Sequence, residues 1–153
     1  MPINRDYLGR VYPSPEPYEV TRGKIREFAD AIGDPNPVYR DVAAAKAVGH
    51  TDVVAPPTFP VIMNMAGMAD AADDPELGLD YSMVVHGDQS FRYSRPLRAG
   101  DVVHTSTRIA GIKALAGNEM LTLESEISTV EGEHVVTAVM MLVVRGGVEQ
   151  AAS

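Results

Sequence analysis

Leu121, Leu123 and Ile127 take alternate positions from residue 121 to 127, with Ser125 between them on the same face. Leu121, Leu123, Ser125 and Ile127 share one face, and Thr122, Glu124, Glu126 and Ser128 share the other. This period of two predicts a strand with one buried face. Val135–Val144 is nearly all apolar, which predicts a central strand covered on each side. Glu131-Gly132-Glu133 between them reads as a hairpin connection. Upstream, Val84–Tyr93 and Val102–Ile109 predict two more strands around the turn Arg98-Ala99-Gly100-Asp101.

The first half has helical spacing instead. Thr21 caps a helix whose apolar face is Ile25, Phe28, Ala29 and Ile32, and Gly33 ends it. A second short helix is predicted over Asp41–Ala47, with Asp41 at its positive end and Gly49 beyond it. Pro60 suits the first turn of a third helix. Val61, Met65, Met68 and Ala69 follow at helical spacing, and the run reaches about Ala72. Small residues Ala66, Gly67, Ala69, Ala71 and Ala72 let another backbone pack close to it. Met63, Met65 and Met68 read either as core or as the flexible lining of an apolar site. Residues 1–18, with Pro13, Pro15 and Pro17 alternating, form an extended arm. Helices first and antiparallel strands after predict an α+β fold, helix packed on one sheet face.

Composition narrows the class. The 153 residues are the usual size of one domain, so residues 1–153 are read as a single unit. There is no cysteine, which excludes disulfides, thiolate metal sites and a cysteine nucleophile. The net charge of −8, with scattered positive residues apart from Arg92–Arg98, argues against a nucleic-acid partner. The N-terminus lacks the apolar core of a signal peptide, and no apolar run is long enough for a membrane span. A cytoplasmic location is expected. The four histidines form no metal-binding spacing, and neither a metal nor a cofactor is expected.

The densest chemistry lies in Gly33-Asp34-Pro35-Asn36-Pro37-Val38-Tyr39-Arg40-Asp41. Two prolines stiffen the loop and push Asp34 and Asn36 out of the helical region. A stiff loop can aim a carboxylate and an amide at one point, as proton transfer requires. Asp-Pro and Asn-Pro are equally ordinary turn chemistry, so both readings stand.

Asp34, Asn36 and Pro37 resemble the Asp-x-Asn-Pro-x-His signature of R-specific enoyl hydratases and MaoC-like dehydratases. Tyr39 stands where that family has histidine. Val53–Pro60 looks like the segment entering the family's central helix, and His86–Asp101 like the strand and turn after it. The three ordered blocks, within a resemblance running from about Tyr18 to Arg145, point to the MaoC-like N-terminal or FAS1-like dehydratase domain. The resemblance implies a hot-dog fold, an antiparallel sheet wrapped around a long helix. It implies an acyl thioester of coenzyme A or acyl carrier protein as substrate. It also implies a second hot dog beside this one, as a homodimer or a heterodimer with a MaoC-like subunit. The two-sided apolar strand Val135–Val144 is read as agreeing with such pairing.

In the family an aspartate and a histidine hold one water, and backbone N–H groups at the central helix hold the thioester oxygen. This chain departs twice. Tyr39 has a phenol of ordinary pKa about 10, a poor base at neutral pH. Ala55-Pro56-Pro57 replaces an Ala-His-Gly type sequence, and proline has no N–H to give. Both departures resemble the non-catalytic subunit of the heterodimeric dehydratases of mycolic-acid elongation, which holds the acyl chain for a MaoC-like partner.

The candidate catalytic set is therefore Asp34, Asn36, Tyr39 and His86, the last as a substituted proton carrier or as packed core. Pro57, Thr58, Phe59, Met63 and Arg95 are the candidate substrate-binding set. Arg92, Arg95 and Arg98 read either as a phosphate-binding group or as a solvated edge. His50 reads as a turn residue, and His104 and His134 as structural. The leading reading is a subunit of an R-specific 3-hydroxyacyl-thioester dehydratase or enoyl-thioester hydratase, weak or inactive alone. The alternative is a non-enzymatic homodimer that binds acyl-CoA, and a thioesterase is a third option.

Overall fold

The computed structural model describes residues 2–146, so the expected unit of residues 1–153 extends past them at both ends. An N-terminal arm carries β1 (Val11–Pro13) and β2 (Tyr18–Glu19). Three helices follow: α1 (Arg22–Ala31), α2 (Val42–Ala47) and α3 (Val61–Asp73). Four long strands complete the chain: β3 (Val84–Tyr93), β4 (Val102–Leu115), β5 (Asn118–Thr129) and β6 (His134–Val144). The sheet is antiparallel in the order β1-β4-β5-β6-β3, with β2 also on β4. α3 packs across β4, β5 and β6, as the α+β expectation requires.

Local signals shape the elements as read. Thr21 accepts from the Lys24 N–H at 3.2 Å, and Asp41 accepts from the Ala43 N–H at 2.9 Å, each closing a helix N-terminus. Gly33 ends α1 with φ +71°, a left-handed stop that glycine adopts without strain. On β5 the inward set is Glu119, Leu121, Leu123, Ser125, Ile127 and Thr129, the alternation seen in sequence. β4 runs six residues beyond its expected end at Ile109. A bulge at Ile109/Gly111 and a two-residue turn at Ala116-Gly117, both at positive φ, carry it into β5.

Several expectations change. β6 is covered on both faces only from Val135 to Ala138; beyond that Val139, Met141 and Val143 are half-buried. It lies inside the sheet between β5 and β3, so it offers no free edge itself; β3 ends the sheet on that side and β1 on the other. The arm is not wholly extended, since Arg5–Tyr7 forms a short 3-10 turn. Ile3 is buried, and its N–H donates to the buried Glu119 carboxylate at 2.6 Å. Ile32 is half exposed, because α1 has already ended before it.

The phase of α3 differs most. Its buried residues are Met63, Asn64, Gly67, Met68 and Ala71, while Met65 points outward. Asn64 sits fully buried at the centre and donates to the Ser125 Oγ at 2.7 Å. Ser125 in turn meets the Thr107 hydroxyl at 2.7 Å, and Gln89 donates to the Asn64 Oδ1 at 2.9 Å. This fully paired polar chain is what lets an amide occupy the core. Gly67 rides directly on Thr107: a Cβ there would lie 1.9 Å from the threonine Oγ1.

Candidate functional site

The loop after α1 is built by its own side chains. Asp34 Oδ1 accepts from the Asn36 N–H at 3.0 Å, and Asn36 Oδ1 accepts from the Val38 N–H at 3.1 Å. These two Asx turns start the 3-10 turn Pro37–Tyr39. Arg40 ties the loop to α1 through Asp30 Oδ1 at 2.6 Å and to the Asn36 carbonyl at 3.1 Å. The turn reading is the one seen here: Asp34 and Asn36 hold a turn, and the turn presents Tyr39.

Tyr39 is buried to within 8% of its surface, yet it lines a cleft of about 490 Å³. Val54, Ala55, Pro57, His50 and Tyr93 form the nearby wall. Burial lifts the Tyr39 phenol above its ordinary pKa, and the Asp34 charge lifts it further. Burial lifts Tyr93 as well, with a contribution from Tyr39. Both hydroxyls thus stay protonated across physiological pH. The Tyr93 hydroxyl donates to the Pro57 carbonyl at 2.7 Å. The Tyr39 hydroxyl has no partner among the described residues and opens to the cleft.

The entrance to α3 borders this cleft and is poor in free donors. Pro56, Pro57 and Pro60 have no N–H. The N–H groups of Ala55, Phe59, Val61, Ile62, Met63 and Asn64 are all bonded to carbonyls. Among the described residues, only the exposed Thr58 N–H of this segment lacks an acceptor.

The expected site residues fall in four places. Tyr39, Pro57 and Arg95 line the cleft, while Asp34 and Asn36 shape the loop that presents Tyr39 and are not part of the cleft wall. Met63 lies elsewhere, in a groove of about 410 Å³ between α3 and the arm, beside Tyr12, Pro15, Tyr18 and Gly67. His86 sits on β3, its Nε2 3.0 Å from the Gln89 Oε1, in a pocket with Met65, Tyr81 and Met140. It does not reach Tyr39's cleft. Phe59 is fully buried, edge-on to Phe28 at 5.4 Å between ring centres, and belongs to the core. Arg95 lines the cleft, but Asp101 grips its guanidinium at 2.9 and 3.0 Å, and Glu133 takes its Nε. This pairing holds the guanidinium charged and engages most of its N–H donors with protein oxygens.

Sequence reasoning missed Tyr93 and His50 as cleft residues. Neither follows a period or a motif; they meet Tyr39 only because β3 and the loop before α3 converge there.

The model of the FAS1-like dehydratase domain region matches residues 6–138. The chain belongs to the FAS1-like dehydratase domain family. A UPF0336 protein from Thermobifida fusca is 73% identical over 146 residues, spanning 95% of this chain and 96% of that one. Among solved structures, a chain of the C-terminally truncated HadBC complex, a 3R-hydroxyacyl-ACP dehydratase from Mycobacterium tuberculosis, superposes with TM-score 0.81. It is 27% identical, over 90% of this chain and 97% of that one. A MaoC-like dehydratase superposes with TM-score 0.84 at 31% identity; the match covers 91% of this chain but 42% of that longer one. The fold is the MaoC-like hot dog, with α3 as the wrapped helix.

Proposed function

We propose that this chain is the acyl-holding subunit of an R-specific 3-hydroxyacyl-thioester dehydratase or enoyl-thioester hydratase. A MaoC-like partner carries the working aspartate and histidine. One observation carries the reading: the loop that resembles the family's catalytic signature presents a phenol, beside a helix entrance whose N–H groups are nearly all taken. A site of this kind keeps the geometry for a thioester and lacks the means to move its protons. The likeness to a chain of the two-subunit HadBC dehydratase supports the same division of labour. The substrate in this reading is an acyl thioester of coenzyme A or acyl carrier protein, and the proposed location is the cytoplasm. The groove beside Met63, walled by prolines and aromatic rings, suits the alkyl tail.

The partner's place is the free edge of β3. Among the described residues this ten-residue strand pairs with β6 alone, and Met65, Tyr81, Met83 and Val85 stand exposed around it. A long open strand edge flanked by exposed apolar side chains is a template for another strand. The isolated protein should therefore sediment as a dimer at micromolar concentration; a stable monomer contradicts this.

The deciding experiment is co-expression with a MaoC-like chain whose loop retains the histidine. A one-to-one complex that dehydrates long-chain 3-hydroxyacyl thioesters faster than the partner alone is the expected result. A partner that gains neither rate nor chain-length range from this subunit overturns the reading.

A further inference from the structure

We propose that Ser94 is an activated nucleophile, with His134 as its base, and that it takes the acyl group from carboxylic esters whose alcohol is a phenol. This activity goes beyond the hydration chemistry of the Asp34–Tyr39 loop and is carried by different residues.

A serine, a histidine and a threonine stand in one hydrogen-bonded line. The Ser94 Oγ lies 2.6 Å from the His134 Nδ1, and the His134 Nε2 lies 2.7 Å from the Thr137 Oγ1. With the ring proton on Nε2 and given to Thr137, Nδ1 accepts from the Ser94 hydroxyl. That is a nucleophile, its base and a group that orients the base. The backbone holds the line in place. Ser94 follows the last residue of β3, and its N–H donates to the Val135 carbonyl at 2.8 Å; His134 opens β6, which also carries Thr137. Ser94 is exposed and lines the cleft of about 490 Å³, whereas His134 is half-buried and is not part of the cleft wall. The Tyr39 hydroxyl and the His50 ring, neither hydrogen-bonded among the described residues, line the same cleft and are the donors it offers to an oxyanion.

The surroundings of His134 set the substrate class. No carboxylate bonds its ring among the described residues. Glu133, its neighbour in sequence, is taken by the Arg95 Nε, and Thr137 stands between Glu126 on β5 and Arg92 on β3. A carboxylate behind the ring would stabilise the imidazolium; a threonine hydroxyl orients the ring without doing so. Such a pair suits a leaving group that departs readily as an anion, and a phenolate does so far more easily than an alkoxide. The cleft wall agrees: Val38, Val54, Ala55 and Pro57 are apolar, and Tyr39 and Tyr93 offer rings to an aryl group. In the reaction the Ser94 Oγ bonds to the ester carbonyl carbon as its proton passes to the His134 Nδ1. The carbonyl C–O bond to the aryloxy group breaks, and the phenolate leaves with that proton. Water then attacks the Ser94 ester in the same way, giving the carboxylic acid and the free serine.

Incubation of the full chain with p-nitrophenyl butyrate, followed by p-nitrophenolate release and intact mass, tests this. A burst of about one p-nitrophenolate per chain should accompany a mass gain of one butyryl group, and peptide mapping should place that group on Ser94. Ser94→Ala should abolish the burst. His134→Gln should slow acylation by about a hundredfold, the low end for a general base, because no carboxylate backs the ring. Thr137→Val should slow it less, and Thr137→Ser should restore the rate, the mark of a positioning residue. Circular dichroism checks that each variant is folded. Butyryl groups on lysine or tyrosine but not on Ser94, no acylation at all, or a folded His134→Gln protein acylated as fast as the wild type overturns the proposal. The dehydratase reading is judged separately, by whether the MaoC-like complex gains activity.

Discussion

Alone, the protein should hydrate crotonyl-CoA at least about 10⁴-fold more slowly than a hydratase of this fold with an intact loop. Two losses multiply. A positioned general acid–base group contributes roughly 10²–10⁴-fold, and Tyr39 cannot supply it as a base. A preorganised oxyanion donor contributes roughly 10²–10³-fold, and the bonded N–H groups entering α3 leave little to replace it. Tyr39→His alone should therefore raise the rate only at the low end, about tenfold to a hundredfold. Tyr39→His with Pro57→Gly should gain about another hundredfold, because glycine returns an N–H while keeping the carbonyl that accepts from Tyr93. Robust turnover by the wild type, free of any MaoC-like chain, contradicts the first expectation. An unchanged rate in the folded double variant, with thioester bound, means the loop is architecture alone.

Replacing Gly67 by alanine should destabilise the fold by about 2–4 kcal/mol, against the trend for a helix interior. Helix propensity by itself favours alanine over glycine by about 1 kcal/mol. Sterics oppose it more strongly. The new methyl would sit 1.9 Å from the Thr107 Oγ1 and 2.6 Å from its Cβ, so a rotation of the hydroxyl does not clear it. α3 must lift from β4, at an overpacking cost of about 1–3 kcal/mol. Lifting also pulls the fully buried Asn64 amide from Ser125 and Gln89 and leaves it without those partners. Gly23 in α1 is the control: nothing lies within 4 Å of a Cβ there. Gly23→Ala should be stabilising by about 0.5–1 kcal/mol. Urea unfolding of both variants at one protein concentration measures the contrast, since association shifts apparent stability. Equal and small changes at the two glycines would mean that α3 does not press on the sheet at Gly67.

The division between the two levels is physical. Where a structure is made by residues a few places apart, the sequence carried it. Thr21 and Asp41 cap helices through their own near neighbours, Gly33 and Gly132 turn the chain at positive φ, and β5 alternates because its pleat does. The Asp34–Tyr39 loop belongs here too, since its shape comes from two prolines and two side chains bonding two residues ahead. Other features came from partners distant in sequence, and only the folded chain decided them. Asn64 marks the buried face of α3 because Ser125, 61 positions on, and Gln89, 25 on, complete its hydrogen bonds. A hydrophobic periodicity discounts an asparagine, so it placed Met65 inward and missed the phase. Arg95 reads as a free cation until Asp101 and Glu133 fold onto it. His86 follows the apolar Val84-Val85 yet stands on the open edge of the sheet, away from the loop it was matched with. Tyr93 and His50 became cleft residues by convergence of separate segments, which leaves no local pattern to read. The sequence thus determined the fold class and the loop that marks the site, while long-range hydrogen bonding and ion pairing determined which of its groups remain free to meet a ligand.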